Sequence, residues 1–158
     1  MHSLISSAGD GVVHLVGVGN PIRQDDGVGL EIVSKLRRSL GPVPRAGLRI
    51  HAPTLNPERV ISKVASRGER LVLFDAVEAG KKPGSIVCAC LGETKFGFFA
   101  THNIPLRLIP EVKDNLESIY VVGIQPESVD VGEGLSEPVR RASEDLVASI
   151  VAMGGAGG

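Results

Sequence analysis

The residues of this 158-residue sequence that are best suited to chemistry are carboxylates, an imidazole and an amide, and they follow predicted β-strands. Asp25 and Asp26 follow the first predicted strand, Asp75 ends the third, His102 follows the fourth and Gln125 follows the last. In an open parallel sheet, ligands bind beyond the carboxyl ends of the strands. If these strands all run parallel, the five side chains converge on one edge of the sheet.

Asp75 is the most informative of these residues because it follows the apolar run 71–74, which predicts a strand buried on both faces. An unpaired buried carboxylate is costly, so Asp75 must be protonated, paired with a cation or bound to a metal. A salt bridge to Arg23 or to another nearby cation is the structural alternative. The position of Asp75 at a strand end favours a functional role.

The adjacent Asp25 and Asp26 also have a structural interpretation, because carboxylates stabilise the first turn of a helix. A helix cap needs only one carboxylate, however, and two neighbouring negative charges repel each other unless a cation lies nearby. Gly27 and Gly29 leave the beginning of the helix without side chains, so that a bulky group could approach. We expect Asp25 to cap the helix, with the positioning of a water molecule as its alternative role.

Asp26, Asp75 and His102 together make a mixed set of two carboxylates and one imidazole. Oxygen and nitrogen ligands in this combination suit a divalent transition ion such as zinc or nickel better than calcium or magnesium. The residue types do not select one transition metal. His102 alone would be weak evidence, since most histidines are ordinary surface or core groups.

Composition and motifs disfavour several other functions and locations. The net charge is −1 and no long basic stripe occurs, which argues against binding to nucleic acid phosphates. Ile22 replaces the third glycine of a dinucleotide-binding motif, and no Gly-x-Ser-x-Gly elbow occurs. Cys88 and Cys90 lack the paired spacing of a structural zinc site. Without an apolar run of roughly 20 residues or a signal-peptide pattern, the expected location is the cytoplasm.

Apolar runs alternate with helical patterns along the chain, which predicts an α/β fold. Strands are predicted at 12–18, 48–50, 71–74, 86–91 and 119–124. Helices are predicted at about 26–40, from 57, from just after 102 to about 112, and after Ser136, which is expected to cap the last one. With no linker or repeat, we expect one domain over residues 1–158, with flexible ends at 1–11 and 154–158.

Four segments, in order, resemble the hydrogenase maturation proteases, which remove the C-terminal extension from the large subunit of nickel-iron hydrogenases. The segments are 17–29 (GVGNPIRQDDGVG), 74–84 (FDAVEAGKKPG), Thr101–His102 with the leucines that follow, and 122–139. The similarity spans roughly residues 13 to 146. Four motifs in the right order are far more specific than any single motif.

The resemblance implies a function, a partner and a ligand set. Asp26, Asp75 and His102 match the residues that bind nickel in the family, and the nickel is supplied by the substrate precursor rather than carried as a resident cofactor. The implied activity is that of an endopeptidase whose partner is the large-subunit precursor. The implied fold is a twisted, mainly parallel β-sheet with helices on both faces.

One segment departs from the family pattern, and two other functions stay open. Many relatives have an acidic residue and two glycines after the second strand, whereas this chain has His51–Pro57, which we expect to influence substrate choice. A nickel-checking chaperone that does not cut the precursor would use the same three ligands. A magnesium-dependent phosphohydrolase would use the carboxylates but has no obvious use for His102. The sequence does not predict the oligomeric state.

Overall fold

The computed structural model describes residues 11–41, 47–93 and 110–155, and these residues form an α/β fold. Its strands are β1 (Val13–Gly17), β2 (Leu48–Ile50), β3 (Arg70–Ala76), β4 (Ile86–Cys90) and β5 (Ile119–Ile124). Its helices are α1 (Val28–Leu40), α2 (Pro57–Ala65), α3 (Pro110–Lys113) and α4 (Glu137–Gly155), with 3₁₀ turns at Gln24–Gly27 and Leu116–Ser118. None of the described helices is long and apolar enough to span a membrane.

The five described strands form one sheet in the order β2-β1-β3-β5-β4. β1 pairs in parallel with both β2 and β3, and β3 pairs in parallel with β5. The register places Phe74 opposite Gly17 and Asp75 opposite Gly123. The expectation of a mainly parallel sheet is therefore confirmed, and Asp75 lies at the carboxyl edge of its central strand.

β4 is the exception, because it runs antiparallel to β5, with Ile86 opposite Ile124 and Cys90 opposite Tyr120. Its carboxyl end therefore lies at the edge opposite to Asp75, and the premise that placed His102 by strand direction was wrong. Only residues 77–85 join β3 to β4, whereas a parallel crossover needs about a dozen residues or more. His102 itself, with most of the helix predicted after it, lies outside the described residues.

Helices cover both faces of the sheet, and the alternation of strand residues decides which face each side chain meets. Val72 and Phe74 of β3 belong to the apolar cluster that contains residues of α1 and α4. Leu71 and Leu73 belong to the second cluster, which contains residues of α2 and α3. β3 is thus buried on both faces, as its continuous apolar run predicts.

The beginning of α1 lies directly against the end of β3. A methyl group at Gly29 would collide with the carbonyl oxygens of Phe74 and Val18. The missing side chain of Gly29 therefore makes room for the backbone of this chain. We had expected it to leave room for an incoming group, and that expectation was wrong for Gly29. This close approach brings the 3₁₀ turn that precedes α1, with Asp25 and Asp26, to the edge where Asp75 ends β3.

Candidate metal centre

Asp75 is fully buried at the end of β3, and its carboxylate is only half satisfied. Oδ1 accepts a hydrogen bond of 2.8 Å from the backbone N–H of Ala76. Oδ2 is buried and accepts no hydrogen bond from any residue that the structure describes. Burial, followed by the negative charge of Asp26, raises the pKa of Asp75 well above its ordinary value, against a smaller opposing effect of the Ala76 N–H.

The structural alternative for Asp75, a salt bridge to Arg23, is absent from the described part of the chain. The Nε–H of Arg23 instead donates to the carbonyl oxygen of Val129 at 3.1 Å. No other ion pair to Asp75 occurs among the described residues. A buried carboxylate with an unused oxygen fits a site for a cation.

Asp26 supplies the second carboxylate and is only 3% exposed. Its backbone is held on both sides, since its N–H donates to the carbonyl of Arg23 and its carbonyl accepts from the N–H of Asn20, both at 3.1 Å. Asp26 lies near enough for its charge to raise the pKa of Asp75. A divalent cation between the two carboxylates would remove this repulsion, as expected of two metal ligands.

Asp25 has a different role from both of those that we expected. Its carboxylate accepts four hydrogen bonds: from the N–H groups of Glu127 (2.8 Å) and Ser128 (3.1 Å), and from the N–H (2.7 Å) and hydroxyl (2.8 Å) of Ser136. These donors belong to the loop between β5 and α4, so Asp25 does not cap its own helix. The Ser136 hydroxyl, predicted to cap α4, donates to Asp25 instead. Asp25 is a positioning residue that joins the 3₁₀ turn to this loop.

Gln24, which directly precedes the two carboxylates, has an unusual backbone conformation. Its φ of 47° lies in the left-handed region, which for a residue other than glycine costs of order 1–3 kcal/mol. Backbone hydrogen bonds with Gly132 offset that cost, from the Gln24 N–H to the Gly132 carbonyl and from the Gly132 N–H to the Ile22 carbonyl, both 2.9 Å. This conformation depends on contacts across more than a hundred residues and has no signal in the local sequence.

Gln125 reaches the same edge of the sheet but is engaged in structural hydrogen bonds. Its Oε1 accepts from the N–H groups of Ala79 (2.8 Å) and Lys81 (3.2 Å), and its Nε2 donates to the carboxylate of Glu78 at 3.0 Å. The buried amide therefore shapes the loop that follows β3. It is a scaffold for the site and not an additional ligand.

The structure brings together two of the three predicted ligands, Asp26 and Asp75. Among the described residues, no group of three or more His, Cys, Asp or Glu side chains is arranged to hold a metal ion. The third predicted ligand, His102, lies outside those residues and remains a prediction. Two acidic side chains, one with an unused buried oxygen, fit part of the coordination of a divalent cation.

An apolar surface that we had not singled out from the sequence adjoins the turn that holds Asp26. Ile22 is 60% exposed and Leu55 is 69% exposed, and both line a cavity of about 380 Å³. Asn20 and Pro21, which precede the 3₁₀ turn, line the same cavity. Leu55 belongs to the segment 51–57, which we expected from the sequence to influence substrate choice.

Taken together, the fold and the site define an α/β protein with an acidic centre at the carboxyl edge of its sheet. A sequence model of the family described as "HycI: Hydrogenase maturation protease" matches residues 31–153. The chain belongs to the hydrogenase maturation protease family and is a peptidase. Asp75 and His102 fall within the matched range, and Asp26 precedes it.

Similar proteins agree with this assignment along most of the chain. The hydrogenase 3 maturation protease of Escherichia coli K12 is 29% identical over 147 residues, covering 91% of this chain and 92% of the relative. The crystal structure of the [NiFe] hydrogenase maturation protease HycI from Thermococcus kodakarensis KOD1 matches with a TM-score of 0.72 at 26% identity, covering 90% and 91% of the two chains. The crystal structure of a hydrogenase 3 maturation protease matches with a TM-score of 0.67 at 27% identity, covering 87% of this chain and 88% of the other.

Proposed function

We propose that this chain is the endopeptidase that removes the C-terminal extension of a nickel-iron hydrogenase large-subunit precursor after nickel has been inserted. Asp26, Asp75 and His102 would recognise the nickel that the precursor carries. The observation that supports this proposal best is the unused, buried Oδ2 of Asp75, next to a second buried carboxylate. Such a pair is unfavourable in the free protein and is relieved when a cation arrives with the substrate.

In the proposed site, the nickel carried by the precursor and the residues of this protein make different contributions to catalysis. A bound transition ion polarises a carbonyl group and makes a water molecule more acidic, both of which favour peptide hydrolysis. Asp75 would hold its side of the site through the Ala76 N–H, which fixes the carboxylate orientation at 2.8 Å. Asp25 would act only through position, because four donors already occupy its carboxylate.

The test is cleavage of purified precursor, loaded with nickel or free of nickel, followed by intact-mass spectrometry. Wild type should shorten only the nickel-loaded precursor. Asp26→Asn, Asp75→Asn and His102→Ala should each lower the cleavage rate by at least about 100-fold, as expected when a metal contact is lost. The exposed Asp114→Asn is the matched control and should cut at the wild-type rate. Full cleavage by all three variants would reject the ligand assignment.

The intact mass of the precursor after the reaction also distinguishes a peptidase from a chaperone. A nickel-checking chaperone would bind the precursor and leave its mass unchanged, whereas a peptidase shortens it by one defined C-terminal fragment. Membership in a family of proteases favours the peptidase. Cleavage of nickel-free precursor at the full rate would preserve the peptidase activity but exclude nickel recognition.

A further inference from the structure

A second polar cavity lies on the α2 face of the sheet, at the edge formed by β2. It has a volume of about 420 Å³ and contains none of the carboxylates of the metal centre. Its lining combines two histidines and four permanent cations with two valines, the residues being His14, Arg49, His51, Arg59, Val60, Lys63, Val64 and Arg67. This volume falls within the range of about 300–1,000 Å³ that is typical of small-molecule sites.

Three polar side chains form a row of close contacts at this cavity, and two of them, His14 and His51, line it. Oε2 of Glu69 lies 2.6 Å from Nε2 of His14, and Nδ1 of His14 lies 2.8 Å from Nε2 of His51. The two imidazole rings stack with their centroids 5.1 Å apart. If His14 directs its Nε2–H to Glu69, its Nδ1 accepts from the Nε2–H of His51. The Nδ1 of His51 then remains an acceptor that can be protonated.

The cations around this row have little compensating negative charge. Arg59 and Lys63 are one turn apart on α2, and Arg67 follows the end of that helix. Within the described residues, Arg49, Arg59, Lys63 and Arg67 form no ion pair with a carboxylate. Glu69, which contacts His14, is not among the residues that line the cavity. The cavity is therefore strongly positive in a chain whose net charge is −1.

His51 responds to this environment. Burial lowers its pKa to about 4, and the charges of His14, Arg49, Arg37 and Lys63 act in the same direction. His51 is thus neutral near pH 7, and a bound anion would offset the positive charges that surround it. A metal ion is excluded as occupant by the same charges, and no metal-type group of side chains occurs here within the described residues.

We propose that this cavity is a binding site for a small molecule that bears an oligophosphate group. Guanidinium groups bind phosphoryl oxygens in bidentate fashion, and three arginines with one lysine provide the donors for several such oxygens. An oligophosphate matches the number of cations that line the cavity. The site is separate from the metal centre, so this proposal stands independently of the proposed function.

The test is calorimetric titration of the full chain with tripolyphosphate at pH 7 and constant ionic strength. Wild type should bind, and Arg59→Gln and Lys63→Gln should each weaken binding at least about 10-fold, the ratio that corresponds to one lost charged contact. Both side chains are exposed, so neither substitution should disturb the fold. Arg38→Gln, which removes an equal charge from the exposed face of α1, is the control and should bind like wild type.

A second measurement follows His51 by nuclear magnetic resonance. Saturating tripolyphosphate should raise the His51 pKa above its value of about 4, because the anion offsets the part of the lowering that the surrounding cations cause. The Lys63→Gln variant should show a smaller upward shift at the same ligand concentration. Absence of binding, equal weakening by Arg38→Gln, an unmoved His51 titration, or tight binding of an oligoglutamate peptide without tripolyphosphate binding would each overturn the proposal.

Discussion

At the scale of single residues, Asp75 shows how a buried carboxyl group can oppose stability. Its pKa is raised in the folded protein, so above about pH 4 the folded chain retains a proton more readily than the unfolded chain. The stability that accompanies this proton is lost as the pH rises through the folded-state pKa. The metal-free protein therefore loses stability at Asp75 as the pH rises above about 4.

Asp75→Asn should raise the melting temperature of the metal-free protein at pH 7 by about 3 °C or more, and the gain should shrink towards pH 4. Asparagine keeps the oxygen that accepts from the Ala76 N–H and removes the charge that Asp26 repels. Differential scanning calorimetry across this pH range is the measurement, with Asp114→Asn as the exposed control. A lower melting temperature at pH 7 would contradict the electrostatic cost assigned to Asp75.

The residue types at the site could be predicted from sequence, but their roles could be predicted only in part. Asp75 was predictable because a carboxylate directly after a continuous apolar run must be buried. The role of Asp25 was not predictable, since its donors lie more than a hundred positions away in Glu127, Ser128 and Ser136. The local sequence around Asp25 predicts a helix cap. Only the tertiary fold reveals that the Asp25 carboxylate binds the loop between β5 and α4.

At the scale of elements, the 3₁₀ turn, α1 and the loop between β5 and α4 act as one assembly. Asp25→Ala would leave three backbone N–H groups of that loop without their acceptor. The free energy of unfolding should fall by about 3 kcal/mol. Urea denaturation measures this change, and Asp130→Ala, an exposed residue of the same loop, is the control with little expected effect. An unchanged unfolding midpoint for Asp25→Ala would contradict the positioning role.

Gly29 tests the contact between α1 and β3. In the Gly29→Ala variant the new methyl group must displace the carbonyls of Phe74 and Val18, which moves the strand end that holds Asp75. We expect a loss of about 3 kcal/mol in stability together with slower cleavage. Gly11→Ala is the matched control, since nothing in the described structure lies within 4 Å of the added carbon. Equal stability of the two variants in thermal melts would refute the close contact.

The hydrophobic pattern predicted the positions of the strands more reliably than it predicted their directions in the sheet. All five strands lie where the apolar runs predicted them, and the ends of β2 and β5 agree with the predicted bounds. The direction of β4 was missed, because its pattern is the same whether its neighbour runs parallel or antiparallel. The short connection at 77–85 was the available signal, and it favours the antiparallel arrangement.

At the scale of the whole molecule, exposed apolar residues lie beside the candidate metal centre, where we propose that a protein substrate docks. If the precursor rests on Leu55 and Ile22, Leu55→Ser should raise KM about fivefold with little change in kcat, because this contact is the same before and during the reaction. Steady-state cleavage kinetics give the two constants. Val12→Ser, an exposed apolar residue just before β1, should change neither. A selective fall in kcat for Leu55→Ser would place this residue in the chemistry instead.

The bond between Asp25 and Ser136 also has a consequence for biosynthesis. A ribosome makes the carboxylates first and the donors of the loop last, with Ser136 emerging after most of the chain has been translated. Until then Asp25, next to Asp26, lacks two of the four hydrogen bonds that its carboxylate accepts in the folded protein. A nascent or truncated chain ending before residue 136 would therefore hold this turn by fewer contacts, so that the carboxylate edge of the sheet becomes fully ordered only when synthesis is nearly complete.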